Sequence, residues 1–293
     1  MGAGDPREIG QTRRGAPRSS GSRHGILRPA AEGTHFLLER FEPAEDLRCL
    51  VDRHWIVRWD LRGREPHRQE TLPHPCVNLA IQDGRAAIYG VGRRKFTIML
   101  EGCGHVLGTK FRPGTFGVFM SVPVATLTGR SISLSEVWGE KTARALERSA
   151  ANAVGAAQEV ALLEGFLRKR LPQIDSGAEV ARDATELVLR SNDVTTVDGL
   201  AQRCGVSVRA LQRLFRRYVG VSPKWVIRRA RVQEAAERVA AGQRVNWASL
   251  ASELGYCDQT HLIRDFRAQV GETPAAYAAS CARHRSEQAR RPS

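Results

Sequence analysis

At 293 residues the chain is long enough for two domains, each with its own core. Its 45 Lys and Arg against 31 Asp and Glu give a formal net charge of +14, which calls for an anionic partner. No apolar run approaches the roughly 18 residues of a membrane span, and the six Cys form no CxxC or CxxC…HxxxH pattern, so a membrane helix, a disulfide framework and a structural zinc site are not expected.

The charge is unevenly spread. From Arg190 to the end there are 18 basic and 9 acidic residues, a net +9, and the first 30 residues carry 6 Arg against 2 acids, a net +4. The middle is left near neutral. Gly, Arg and Ser stand at the start where a signal peptide needs an apolar run, so a soluble, reduced, cytoplasmic protein is expected.

Residues 1–33 hold almost no large apolar side chains and read as a disordered basic tail. Residues 34–140 read as β. Trp55, Val57, Trp59 and Leu61 alternate with Ile56, Arg58 and Asp60, and Val77, Leu79 and Ile81 alternate with Asn78, Ala80 and Gln82. Asp83-Gly84 then separates that run from Ala86–Tyr89, a strong hairpin signal. Phe96, Ile98 and Leu100, and then Val106 to Phe111, make further strands before Pro113-Gly114. Many short strands with turns between them suggest a small barrel or jelly roll.

A metal-dependent barrel enzyme needs several ligands converging, starting with a close His-x-His pair. His35, His54, His67, His74 and His105 are never two apart, so this β unit is expected to fold alone and hold no metal, and neither a catalytic residue nor a cofactor is expected. Cys76 after Pro75 faintly resembles the Pro-Cys of DNA alkyltransferases, but no His-Arg follows. Residues 141–192 turn helical. Val160, Leu163, Phe166, Leu167 and Leu171 share one face and Val180, Ala184, Leu187 and Val188 another, as in a linker or dimerisation segment.

Residues 193–281 contain one pattern twice. Leu200-Ala201, Gly205, Ser207, Leu211, Phe215, Gly220 and Ser222-Pro223 correspond to Leu250-Ala251, Gly255, Asp258, Leu262, Phe266, Gly271 and Thr273-Pro274. The offset is 50 residues up to the first Gly and 51 after it. Each copy reads as a short helix, a Gly turn, an N-capped second helix and a Pro start for a third. In the first copy's second helix, Arg209, Arg213 and Arg216 lie opposite the apolar face, with Gln212 and Arg217 flanking, and no acid lies between Ser207 and Val219. In the second copy Thr260, Arg264 and Arg267 face out, with His261 beside them and Gln259 at the tip. Pro223 to Ala241 reads as a long helix joining the copies, with Arg228, Arg229 and Arg231 giving it a basic surface. Past Cys281 the chain reads as a flexible tail over 282–293.

Leu211-Gln212-Arg213-Leu214-Phe215, Gly220-Val221-Ser222-Pro223-Lys224, Gly255-Tyr256, Asp258-Gln259, His261-Leu262 and Arg264-Asp265-Phe266 resemble the DNA-binding domain of AraC-type bacterial transcription regulators. Pro73-His74-Pro75 to Asn78-Leu79, and Phe111 to Gly114, resemble a subgroup whose N-terminal domain has no settled role. The resemblance implies an α+β protein, with a cupin-like or barrel N-terminal domain and an all-α tandem helix-turn-helix C-terminal domain. It implies base reading by Arg209, Gln212, Arg213, Gln259, Thr260, His261 and Arg264, and phosphate contacts by Ser207, Arg216, Arg217 and Arg267. Double-stranded promoter DNA is the implied partner. RNA polymerase, a small-molecule effector and a second copy of the chain are further candidates, and a membrane is not. Against this stand two rivals: an enzyme (a metal cupin or DNA-repair fusion), which a metal assay separates, and a non-specific architectural DNA binder, which competition with scrambled DNA separates.

Overall fold

The computed structural model describes residues 35–191, 193–243 and 245–289, so the expected basic tail over 1–33 lies outside the described residues. Eight strands come first: β1 (Leu37–Phe41), β2 (Val51–Asp60), β3 (His67–Thr71), β4 (Asn78–Gln82), β5 (Arg85–Tyr89), β6 (Phe96–Leu100), β7 (Cys103–Phe111) and β8 (Ser131–Ser133). Six form an antiparallel sheet in the order β1-β2-β7-β4-β5-β8, and β3 pairs with β6 in a separate two-stranded sheet. The β4–β5 hairpin closes as its sequence predicts. Asp83 and Gly84 both take positive φ, +50° and +72°, which is the twist a two-residue hairpin turn requires.

The two faces of β2 pack against different clusters. Ile56, rather than the stripe from Trp55 to Leu61, enters the main core with Leu79, Ile88, Leu107 and Phe111. The opposite face carries Trp55 and Trp59, which lie over Gly108 and Gly104 of the neighbouring strand, where a Cβ would overlap either indole. Trp59 and Val57 join a small cluster with Phe36, Leu61 and Leu100. Both faces of β2 thus contribute to a core, the Ile56 face despite its His54, Arg58 and Asp60, and alternation alone does not say which one holds the larger core.

Four helices follow: α1 (Leu134–Trp138), α2 (Glu140–Ala151), α3 (Ala156–Arg168) and α4 (Ser176–Arg190). The segment expected as a linker divides instead between the two halves of the molecule. Leu146 of α2 and Val160, Leu163, Phe166 and Leu167 of α3 complete the sheet's core. Each such side chain contributes about 1.5–3 kcal/mol by leaving water, so the β unit is incomplete when cut at residue 140. Ala181, Ala184 and Val188 of α4 pack instead with the helices that follow.

Those helices are α5 (Val197–Arg203), α6 (Val208–Leu214), α7 (Pro223–Ala240), α8 (Trp247–Glu253), α9 (Gln259–Val270) and α10 (Pro274–Ala289). A π turn over Phe215–Val219 prolongs α6 and is closed by the Gly220 N–H to the Phe215 carbonyl at 2.8 Å. Leu211, Phe215, Val226 and Ile227 share one core, and Val232, Ala235, Leu250, Leu262 and Phe266 share a second. Helix α7 takes part in both. The chain expected to be a flexible tail after Cys281 continues as α10 to Ala289.

Candidate nucleic-acid interface

Each helix pair is built in the same way. Thr196 and Asn246 cap α5 and α8, accepting bonds from Gly199 N at 3.1 Å and from Ala248 N and Ser249 N at 3.0 and 3.1 Å. The turns then pass through Gly205 at φ +66° and Gly255 at φ +72°. At Gly255 a Cβ would also stand 2.7 Å from Thr195 Cγ2, so both the backbone and the space demand glycine there. Ala201 and Ala251 are buried at the crossing of the paired helices. Ser207 Oγ accepts from Ala210 N at 3.2 Å and Asp258 Oδ1 from His261 N at 2.8 Å, starting α6 and α9. Ser207, read from sequence as a phosphate contact, is thus first of all the cap of α6.

Leu211 and Phe215 are fully buried behind α6, and Leu262 and Phe266 behind α9. The spacing that buries them turns Arg209, Gln212, Arg213 and Arg216 outward on α6, and Gln259, Thr260, His261, Arg264 and Arg267 outward on α9, and all nine are exposed. His261 is fastened, since its Nδ1 lies 2.8 Å from Asp258 Oδ2. These bonds to His261 hold the Asp258 carboxyl below the usual carboxylate range. The arrangement is two capped helices, each with an apolar back and a front of guanidinium, amide and hydroxyl donors. Such a front can read base edges in a major groove.

Four of the sequence-read cations lie elsewhere. Arg217, expected at a phosphate, donates from Nη1 to the Val122 carbonyl at 2.8 Å and from Nη2 to the Met120 carbonyl at 2.7 Å, so it docks α6 onto the N-terminal half. The three Arg expected to give α7 a basic surface are each engaged, and of them only Arg228 is exposed. Arg228 is bound to the buried carboxylate of Asp265, with Nε at 2.8 Å from Oδ2. Arg231 donates to the Thr195 carbonyl at 2.5 Å and lies 5.1 Å from the Tyr256 ring centroid. Arg229 is 2% exposed, donates from Nε to the Pro73 carbonyl at 2.7 Å, and leaves Nη1 and Nη2 without partners. Burial pushes its guanidinium down to about 9. A helical wheel places such residues on a face, but it cannot show that Arg217 and Arg229 meet the N-terminal half or that Arg228 and Arg231 are held by the second helix pair and by the segment before α5.

The cover is extensive. Thr128 Oγ1 donates to the Gly220 carbonyl at 2.5 Å. Leu72 sits in the apolar cluster of the second helix pair and Val91 in that of the first. Sequence reasoning passed over these contacts, because nothing local in Leu72 or Val91 distinguishes a domain contact from an ordinary core position. Among the described residues no group of three or more His, Cys, Asp or Glu side chains is placed to hold a metal ion, and no helix is long and apolar enough to cross a membrane.

Residues 200–280 match the family described as "Helix-turn-helix domain", and residues 39–133 match "Domain of unknown function (DUF6597)". No curated protein matches the chain. Among solved structures, the DNA-binding domain of AdpA, a global transcriptional factor in complex with a target DNA, is 32% identical over 39% of this chain and 98% of that one, with a TM-score of 0.32. A Chromobacterium violaceum transcriptional regulator with an AraC-type DNA-binding domain is 23% identical over 37% of this chain and 97% of that one, with a TM-score of 0.33. ToxT from Vibrio cholerae O395, bound to a naphthalenyl butenoic acid, is 10% identical over 85% of this chain and 100% of that one, with a TM-score of 0.38. The sequence matches over the helix pairs mark a DNA-binding protein of transcription regulation. The chain belongs to the AraC-type helix-turn-helix regulators, and the sequence match over the C-terminal helices carries that assignment.

Proposed function

We propose that this chain binds promoter DNA sequence-specifically, that its two helix pairs read adjacent major grooves, and that its N-terminal half modulates the binding. One observation carries the reading: α6 and α9, capped alike and joined by α7, each expose a donor-rich face. Helix α7 spans 18 residues, or about 27 Å at 1.5 Å per residue. That approaches the roughly 34 Å between successive major-groove faces on one side of a duplex. Arg209, Gln212 and Arg213 face bases in one groove, and Gln259, Thr260, His261 and Arg264 in the next. Arg216 and Arg267, one turn further along their helices, face phosphates, and Ser207 adds its hydroxyl there.

Modulation is supported by the docked residues. Arg217, Gly220 and Arg229 all belong to or border the reading apparatus: Arg217 and Arg229 donate to backbone carbonyls of the N-terminal half, and the Gly220 carbonyl accepts from the Thr128 hydroxyl. A ligand or partner that favours one arrangement of those loops shifts DNA affinity by its differential binding to the two states. The relatives' descriptions support the partners: AdpA is in complex with a target DNA and ToxT with a small organic acid. The test is a genome-wide map of DNA bound by the protein, followed by competition between a recovered site and its scrambled version. Recovery of a common sequence and preference for it support the reading. Equal affinity for both would replace it with non-specific binding.

A further inference from the structure

We infer that the N-terminal half carries a phosphate-binding arm, the loop between β5 and β6, which extends the DNA contact beyond the two helix pairs; this rests on the promoter-binding reading above. The loop reads Gly90-Val91-Gly92-Arg93-Arg94-Lys95 and is fastened at both ends to the C-terminal half. Val91 is fully buried in the cluster of the first helix pair. Lys95 lies at the end of α9, with its Nζ 3.2 Å from where a Cβ on Gly271 would stand, and pairs with Glu70 Oε1 at 2.8 Å. A cation suits that place, because the last carbonyls of α9 carry the negative end of the helix dipole.

Between these fixed points Arg93 and Arg94 are exposed and make no hydrogen bond or ion pair among the described residues. Lys95 is committed to holding the loop, so the two Arg are its free charges. Their position is continuous with the proposed interface. Gly271, which Lys95 touches, closes the helix on the carbonyl of Arg267, itself exposed and one turn past Arg264. Two exposed Arg directly before a Lys that touches the end of a groove-reading helix, with the Glu70 carboxylate already held by Lys95 and Arg68, match the phosphates flanking that groove.

Each phosphate neutralised adds about 0.9 to the slope of log affinity against log salt. The full chain carrying both Arg93→Ala and Arg94→Ala is therefore expected to show a slope about 1.8 shallower on a recovered site, with protection lost only beyond the α9 groove. The Arg93→Lys, Arg94→Lys chain keeps the charge and is expected to restore most of the slope. The Arg213→Ala chain serves as a control on the reading helix itself. Wild-type slope and footprint in the double Ala chain, alongside weakened binding by Arg213→Ala, would overturn the arm and leave the promoter-binding reading intact. A wild-type chain without sequence preference, or one unaffected by Arg213→Ala, would overturn both.

Discussion

Arg213 and Arg216 occupy one exposed face of α6 yet are expected to fail differently when removed. Arg213 aligns with Arg264 of the second copy and faces base edges, so Arg213→Ala is expected to cost about 1–3 kcal/mol and to relax the choice of one base. Arg216→Ala should weaken cognate and scrambled DNA alike and make the salt slope about 0.9 shallower. Binding isotherms on both DNAs at three salt concentrations measure this. Equal losses for both variants on both DNAs would reject the division. A second residue sets a pH dependence. His54 is fully buried, with Nδ1 2.8 Å from Thr109 Oγ1, and Glu164 Oε1 lies 3.8 Å from Nε2, beyond hydrogen-bond reach. Burial holds its imidazole down at about 4, against an ordinary 6.5. Between those values the unfolded chain binds a proton that the folded chain refuses, so stability is fully present above pH 6.5 and falls as pH drops towards 4. The loss reaches about 3 kcal/mol at the low end, and urea midpoints at pH 7 and pH 5 should differ less in His54→Gln than in the wild type.

At the scale of elements, what the sequence shows depends on how local the cause is. The β4–β5 turn is legible because Asp83-Gly84 alone supplies two positive φ values. The tandem helix pairs are legible because cap, Gly and apolar spacing all lie within a dozen residues and occur twice. Strand β3 is not, since its buried Gln69 and Glu70 read as surface, and the buried Glu70 carboxylate is paired with Arg68 and Lys95. Helices α2 and α3 show an apolar face, but that face does not say which partner covers it. Their place on the sheet leads to a prediction. A fragment ending at 140 lacks Leu146, Leu163 and Phe166 from its core and should be aggregation-prone, whereas one ending at 172 should be soluble with a cooperative thermal transition. Equal behaviour of the two would show that the helices do not complete the core. Helix α7 is the element that holds the reading faces apart. A Pro at Ala230 would break it at a cost of about 3 kcal/mol and should abolish joint binding.

For the whole molecule, the two halves are in contact along a broad front. Arg217 holds the Met120 and Val122 carbonyls, Thr128 holds Gly220, and Leu72 and Val91 enter apolar clusters of the C-terminal half. None of this is legible in the linear chain, because the partners lie 92 to 97 residues apart and most are backbone carbonyls. Arg229 is the costly member of this contact, a buried cation with one carbonyl partner. Replacing it with Met, of similar length and without charge, is expected to leave the melting temperature unchanged or raised, and a large fall would show that the guanidinium is satisfied. In the proposed mode of binding, one chain reads two adjacent grooves with unlike faces. Arg209 corresponds to Thr260 and Gln212 to Ile263, while Arg213 corresponds to Arg264. Hydroxyl-radical footprinting of the full chain on a recovered site tests this most directly. Protection of two successive major grooves about one helical turn apart, with unrelated sequences in each, is expected. Protection confined to one groove, or a strictly symmetric pair of half-sites within one monomer's footprint, would contradict it.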